Sequence, residues 1–257
     1  MKAVNIIPTQ KIAAHVDRIL VVESSPITTP FVLPLYANGV PTVLFKSVKG
    51  KLGKDNSNHL LLFGQTVFPE SLTLPEAFTL IAYFFKPYSL IPLFGIPARE
   101  LTDRPIDLTL VFPHASAELQ ERLLNTGTVS DMIGLLDDFV FNLINRSKVE
   151  CPLIKYATTQ IANNPSKESL AVVQKELHVT ERTFQRMFER NVGIAPILYR
   201  RICQFNAAFT QLNNRDHQKL SDIGFQHGYA DQSHYIRAFR EFTNITPNEY
   251  LRFGSAS

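Results

Sequence analysis

From the N-terminus to about Phe85, apolar residues come in short runs interrupted by prolines and glycines: Ile19–Val22, Phe31–Leu35, Thr42–Phe45, Leu60–Phe63 and Thr79–Phe85. Short apolar and β-branched runs bounded by turn formers predict β-strands. Between Lys46 and Asn58 the chain is crowded with Gly, Lys, Asn and Ser, which predicts an exposed hairpin loop. From Pro87 to Arg104 the pattern is mixed, and Phe94-Gly-Ile-Pro-Ala-Arg-Glu-Leu suggests short helical turns.

A helical period of 3.6 then takes over. Ser116 is placed to cap a helix running through Leu124, and a second helix is predicted from about Val129 to Asn145, with Met132, Leu136, Phe139, Val140 and Leu143 on one face. Ile133, Leu135, Phe141 and Ile144 fall outside that stripe. Such a surplus apolar face packs either within its own domain or on a second copy of the chain. The stretch Asn145-Arg-Ser-Lys-Val-Glu-Cys-Pro reads as a polar linker, and everything after Pro152 reads as helix. The expected organisation is a β-rich domain over 1–146, with short helices, and an all-α domain over 151–257.

The C-terminal half contains a diverged repeat. Phe184, Arg186, Phe188 and Pro196 recur 51 positions later as Tyr235, Arg237, Phe239 and Pro247, while Leu170, Val173 and Val179 recur 50 positions later as Leu220, Ile223 and Tyr229. Each copy is a short helix, a tight turn and an amphipathic helix, closed by Gly193-Ile-Ala-Pro or Asn244-Ile-Thr-Pro. Two helices joined by a tight turn make a helix-turn-helix unit.

In each unit the second helix divides cleanly into two faces. Phe184, Met187 and Phe188 are expected to bury, leaving Arg182, Gln185, Arg186 and Glu189 outward. Tyr235, Ala238, Phe239 and Phe242 are expected to bury in the second copy, leaving Gln232, Ser233, Ile236, Arg237 and Arg240 outward. Arg can bridge guanine O6 and N7, and Gln can pair with adenine N6 and N7. Asp231 is placed to cap the second of these helices. Gly228 suits a left-handed turn, and His178 takes the matching place in the first copy at a steric cost. Pro196 to about Leu212 reads as one helix of about 25 Å, long enough to hold two reading helices near the ~34 Å spacing of successive major-groove turns. The alternative is a helical bundle whose outward arginines and glutamines bind nothing.

Charge is unevenly placed, as a nucleic-acid-binding end or simply a solvated face would have it. Residues 1–150 carry 13 Lys and Arg against 14 Asp and Glu, a balance of −1, whereas residues 151–257 carry 13 against 9, a balance of +4. The basic end is where a polyanion such as double-stranded DNA is expected to bind. No window approaches the ~20 apolar residues of a membrane span, and Met1–Pro8 has no signal-peptide core, so a cytoplasmic location and no membrane partner are expected. Cys151 and Cys203 have no paired spacing and read as free thiols, and Cys151 lacks a neighbouring cation to activate it. His59 stands without the His-x-His pattern of a metal-binding barrel and reads as structural. Phosphate-loop, dinucleotide, serine-hydrolase and zinc-protease motifs are absent from the sequence, so neither metal nor cofactor is implied.

Ile223-Gly-Phe-Gln-His-Gly-Tyr-Ala-Asp-Gln-Ser-His-Tyr-Ile-Arg-Ala-Phe-Arg, followed by Ile245-Thr-Pro-Asn-Glu-Tyr, resembles the AraC/XylS family of bacterial transcription regulators. So does Leu177-His-Val-Thr-Glu-Arg-Thr-Phe-Gln-Arg-Met-Phe-Glu-Arg-Asn-Val-Gly, and the likeness covers about residues 151–253. It implies two recognition helices in adjacent major grooves, base contacts near Arg182, Arg186, Gln232, Ser233 and Arg237, and activation through RNA polymerase. Gly224 departs from the family's usual alanine and His178 from its usual glycine. Residues 1–145, above all Pro97-Ala-Arg-Glu-Leu-Thr-Asp, are similar to the uncharacterised β-rich domain of some members, which implies a cupin-like barrel or sandwich. In better-known members the N-terminal domain binds a small effector or forms a homodimer. Two other functions stay open on the sequence: an enzyme in the N-terminal domain tethered by the DNA module, and a protein-interaction module without DNA binding.

Overall fold

The computed structural model describes residues 1–216 and 219–254. The first 85 residues form β1 (Lys2–Ile6), β2 (Val16–Glu23), β3 (Phe31–Leu35), β4 (Thr42–Lys46), β5 (Gly50–Leu52), β6 (Asp55–Ser57), β7 (Leu60–Phe63), β8 (Glu70–Leu74) and β9 (Thr79–Phe85), and β10 (Ile106–Asp107) follows. They make two antiparallel sheets, in the orders β1-β2-β9-β4-β7-β10 and β3-β8-β5-β6. The β-rich half is thus a sandwich of separate sheets rather than a closed barrel.

The larger sheet is covered on both faces, which is why its strands read as unbroken apolar runs. Along β9, Leu80 and Ala82 face the smaller sheet with Leu72 and Leu74, while Ile81, Tyr83 and Phe85 face the helices. Those helices are α1 (Leu90–Phe94), α2 (Pro113–Leu124) and α3 (Val129–Arg146). The Tyr83 hydroxyl ties sheet to helix by donating to Asp137 Oδ1 at 2.7 Å. Met132, Leu136, Phe139, Val140 and Leu143 are buried as their spacing predicts, and Ile133, Leu135, Phe141 and Ile144 pack half-buried against the same core.

One expectation needs correction, and two features go beyond the sequence pattern. Ser116 does not cap α2: the helix starts at Pro113 behind Phe112, because proline lacks the N–H a cap would satisfy and already has helical φ. Ser116 lies one turn in, fully buried. The segment 46–58 forms the expected hairpin, β5 with β6, and its β5 strand is also paired with β8. Lys46 at its base is 0% exposed, and its ammonium donates to the Ser57 carbonyl at 2.8 Å. β1 and β8 are strands beyond the five apolar runs: Asn5 splits the apolar residues of β1, and β8 has only Leu72 and Leu74. They are an exposed edge strand and a half-exposed strand of the smaller sheet.

The second half is helical: α4 (Pro152–Asn163), α5 (Ser169–Glu176), α6 (Glu181–Asn191), α7 (Pro196–Asn213), α8 (Leu220–Gln226), α9 (Gln232–Thr243) and α10 (Pro247–Gly254). It is not independent of the sandwich. The Ala37 N–H donates to the Phe242 carbonyl at 3.4 Å, the Asn206 amide to the Asn38 carbonyl at 3.0 Å, and the Thr102 hydroxyl to the Gly193 carbonyl at 2.9 Å. Ala37, Val67 and Tyr88 share one apolar cluster with Ile154, Tyr199 and Phe242.

Lys46 makes the sandwich pH-sensitive. Burial lowers its pKa from 10.5 to about 8, with Lys49 adding to the drop and Asp107 opposing it. Between those values the unfolded chain binds more protons than the folded one, so stability rises with pH from about 8 towards 10.5. Chemical denaturation at pH 7 to 10 should show a rise in the parent that is smaller in Lys46→Met. An identical pH dependence in the two proteins would assign the rise elsewhere.

Candidate nucleic-acid interface

The helix pairs α5–α6 and α8–α9 repeat the same construction down to backbone detail. Each turn passes through the left-handed region at the predicted place, His178 with φ 52° and Gly228 with φ 73°. The end of each second helix does so again, at Gly193 with φ 98° and Asn244 with φ 64°. Gly and Asn tolerate that region best, and each is followed by an Ile, one further residue and the proline that opens the next helix. Thr180 caps α6 by accepting the Thr183 N–H at 3.3 Å, and Asp231 caps α9 by accepting the His234 N–H at 2.7 Å.

The expected division of faces is present. Phe184 and Phe188 are buried and Met187 half-buried on α6, and Tyr235, Ala238, Phe239 and Phe242 are buried on α9. Arg182, Gln185, Arg186, Gln232, Ser233, Arg237 and Arg240 are exposed. Glu189 and Ile236 are only half-exposed, turned partly towards the core. Gln185 donates to Glu189 Oε1 at 2.9 Å, one helical turn on, so any other partner must displace that bond. Among the described residues, none of Arg182, Arg186, Arg237 and Arg240 lies within ion-pair distance of a carboxylate. Two cationic strips therefore face solvent, one on each second helix.

A polar network that escaped sequence reasoning also ties the two units together. Arg200 and Gln204, one turn apart on α7, are both nearly buried. The Arg200 guanidinium donates to the Pro165 carbonyl at 2.9 Å, before α5, and to Gln204 Oε1 at 3.1 Å. Gln204 donates onward to the His227 carbonyl at 2.7 Å, at the turn of the second unit. One chain of bonds thus runs from the entrance of the first unit, through α7, to the turn of the second. Arg201 adds an ion pair from α7 to Glu241 on α9. The only sequence signal was a polar pair, i and i+4, on a helix face otherwise built to bury. Aromatic contacts run in parallel: Phe188 to Tyr199 at 5.7 Å, and Phe205 to Phe239 at 5.6 Å and Phe242 at 5.2 Å.

Cys151, Cys203 and His59 belong to no metal-ligand cluster among the described residues. Burial pushes the Cys203 thiol up to about 12, and burial also raises Cys151, against the opposing charge of Arg190. Neither is poised as a thiolate. The His59 ring bonds to the Lys46 carbonyl at 2.9 Å.

Residues 173–252 match the model of a helix-turn-helix domain, and residues 4–107 match that of a domain of unknown function, DUF6597. Among solved structures, the chain is similar to ToxT from Vibrio cholerae, with a TM-score of 0.53 and 12% identity over 91% of this chain and 97% of that one. ToxT from strain O395 gives 0.52 and 11%, over 91% and 96%. Wild-type ToxT from strain SCE256 bound to an unsaturated fatty acid gives 0.50 and 13%, over 89% and 96%. At such identities the likeness establishes a shared two-part fold.

Two substitutions probe this framework. Arg200→Ala strands Gln204 Oε1 and the Pro165 carbonyl, and should cost about 1–3 kcal/mol in urea unfolding. Gly224→Ala should stabilise by about 0.5–1 kcal/mol, because the glycine is inside a helix and its added methyl would meet nothing nearer than Tyr235 Cβ at 3.4 Å. Loss of stability in Gly224→Ala would mean that α8 and α9 cannot accept the methyl.

Proposed function

We propose, from the premise that the chain carries an AraC-type helix-turn-helix domain behind a β-rich domain, that it is a sequence-specific transcription regulator reading two adjacent major-groove segments. The observation that carries this reading is the pair of solvent-facing cationic strips, on α6 and α9, repeated at a 51-residue interval and hung on one helix. On α6 the reading residues are Arg182, Gln185 and Arg186. On α9 they are Gln232, Ser233 and Arg237, with Ile236 offering an apolar edge for a thymine methyl and Arg240 a phosphate contact. The α7 rod of 18 residues spans about 27 Å, of the order of the ~34 Å between successive grooves on one face of the duplex, which supports placing the two helices there.

The β-rich domain is assigned the sensing role. In support, ToxT, which shares the fold, has been solved with an unsaturated fatty acid and with a naphthyl-butenoic acid bound. Activation through RNA polymerase is the output that the family resemblance implies, and homodimerisation through the β-rich half is compatible with two reading helices in each chain.

Selection from a random DNA pool should return a bipartite consensus with halves about one helical turn apart. At that site Arg186→Ala and Arg237→Ala should each cost about 1–3 kcal/mol of binding, measured by fluorescence anisotropy, with circular dichroism unchanged. The affinity should fall steeply with salt as phosphate neutralisation releases counterions. Unaltered binding in both variants would refute the assignment of these helices.

A further inference from the structure

A cavity of about 580 Å³ lies in the β-rich domain, between the end of β7, the β5–β6 hairpin and the segment 101–107. Its volume is in the range of small-molecule sites. Leu61, Phe63 and Leu101 supply apolar wall, and Ser57 and Gln65 supply polar wall. Gln65 is 1% exposed, yet neither the oxygen nor the nitrogen of its carboxamide has a hydrogen-bond partner in the protein. The hydroxyl of Ser57, also buried, is in the same condition. Buried polar groups are nearly always paired, and a carboxamide offers an acceptor and a donor side by side. The lining is rich in acid: Asp55, Glu70, Asp103 and Asp107 stand against Arg104, with the Lys46 ammonium behind the wall on the Ser57 carbonyl.

We propose that this cavity binds a neutral or cationic small molecule presenting a cis-amide edge, of the lactam or pyrimidine type, to the Gln65 carboxamide. The acidic lining disfavours carboxylates and phosphates. This deepens the sensing role assigned above and rests on it.

The cavity wall leads to the first reading helix. The Gln65 carbonyl accepts the Asp103 N–H at 2.9 Å, and Asp103 in turn accepts the N–H groups of Val67 and Phe68. A Cβ on Gly64 would come within 2.6 Å of the Leu101 carbonyl oxygen, so strand end and wall touch backbone to backbone. The next residue, Thr102, donates to the Gly193 carbonyl, and a Cβ on Gly193 would lie 2.7 Å from its hydroxyl. Gly193 is the turn that closes α6. A ligand that moves Leu101–Asp103 therefore moves the support of α6.

The test uses the full chain, thermal shift and saturation-transfer NMR, with caprolactam, 2-pyridone, uracil and cytosine as probes and oleate as the carboxylate comparator. At least one amide probe should raise Tm saturably. Gln65→Leu should weaken that probe by about tenfold or more, and Ser57→Ala provides a second variant should the first fold poorly. Gln65→Leu removes two unpaired polar atoms, so its own Tm should not fall. The same probe should change affinity for the selected DNA in the parent and not in Thr102→Val. The absence of Gln65- or Ser57-dependent binding by every amide probe, or oleate binding with equal dependence on Gln65, would overturn the site. DNA binding measured on the same samples separates the two readings: a failed cavity with intact, salt-sensitive DNA affinity sinks this proposal alone, and amide probes that bind a chain indifferent to DNA sink only the reading helices.

Discussion

The burial of α7 is the constraint on which the rest of the molecule depends. Tyr199, Ile202, Phe205, Ala208 and Leu212 form a continuous apolar face with 0–2% exposure. The aromatics of α6 and α9 bury in one cluster with that face, Phe188 against Tyr199 and Phe239 and Phe242 against Phe205, so the two units share one core. Two sparse helix pairs become one body because they share a wall. The Arg200–Gln204 chain then fixes their rotation about it, which apolar contacts alone, being non-directional, do not.

The same helix receives the sandwich. Gly39, with φ 73°, brings its backbone against Ile202 so closely that a Cβ there would sit 3.2 Å from Ile202 Cγ2. Tyr36 stacks edge-on against Phe209 at 5.7 Å. A segment of the β-rich half thus docks on the rod between the two units, while Thr102 docks at the end of α6. Both contacts reach the elements that orient the cationic strips, and neither strip is covered in making them.

Much of this was legible in the chain. The five strong strands, the α3 face, the duplicated helix pairs, the left-handed turns at His178 and Gly228 and the Asp231 cap all follow from periodicity and local backbone preference, which short-range sequence records well. What was not legible depends on partners distant in the chain. β8 alternates polar and apolar residues with its neighbours supplied from elsewhere, and the burial of Lys46 is decided by the Ser57 carbonyl eleven residues away. Ser116 looked like a cap because it precedes an apolar pattern, while Pro113 had already started the helix. The Arg200 network and the unpaired Gln65 were invisible for the same reason, since a polar residue in the sequence carries no mark of whether its surroundings are wet.

The apolar cluster shared by Ala37, Val67 and Tyr88 with the helical half bears on how such a chain could have diversified. Residues 147–151 cross between the halves as an irregular polar stretch, the kind of place where gene fusion joins one module to another. Yet a different partner spliced in at that point would take Ala37, Val67 and Tyr88 out of the apolar cluster that holds Tyr199 and Phe242. Recombination at this joint is therefore easy for the covalent chain and costly for the folded one, and the two halves are bound to change together.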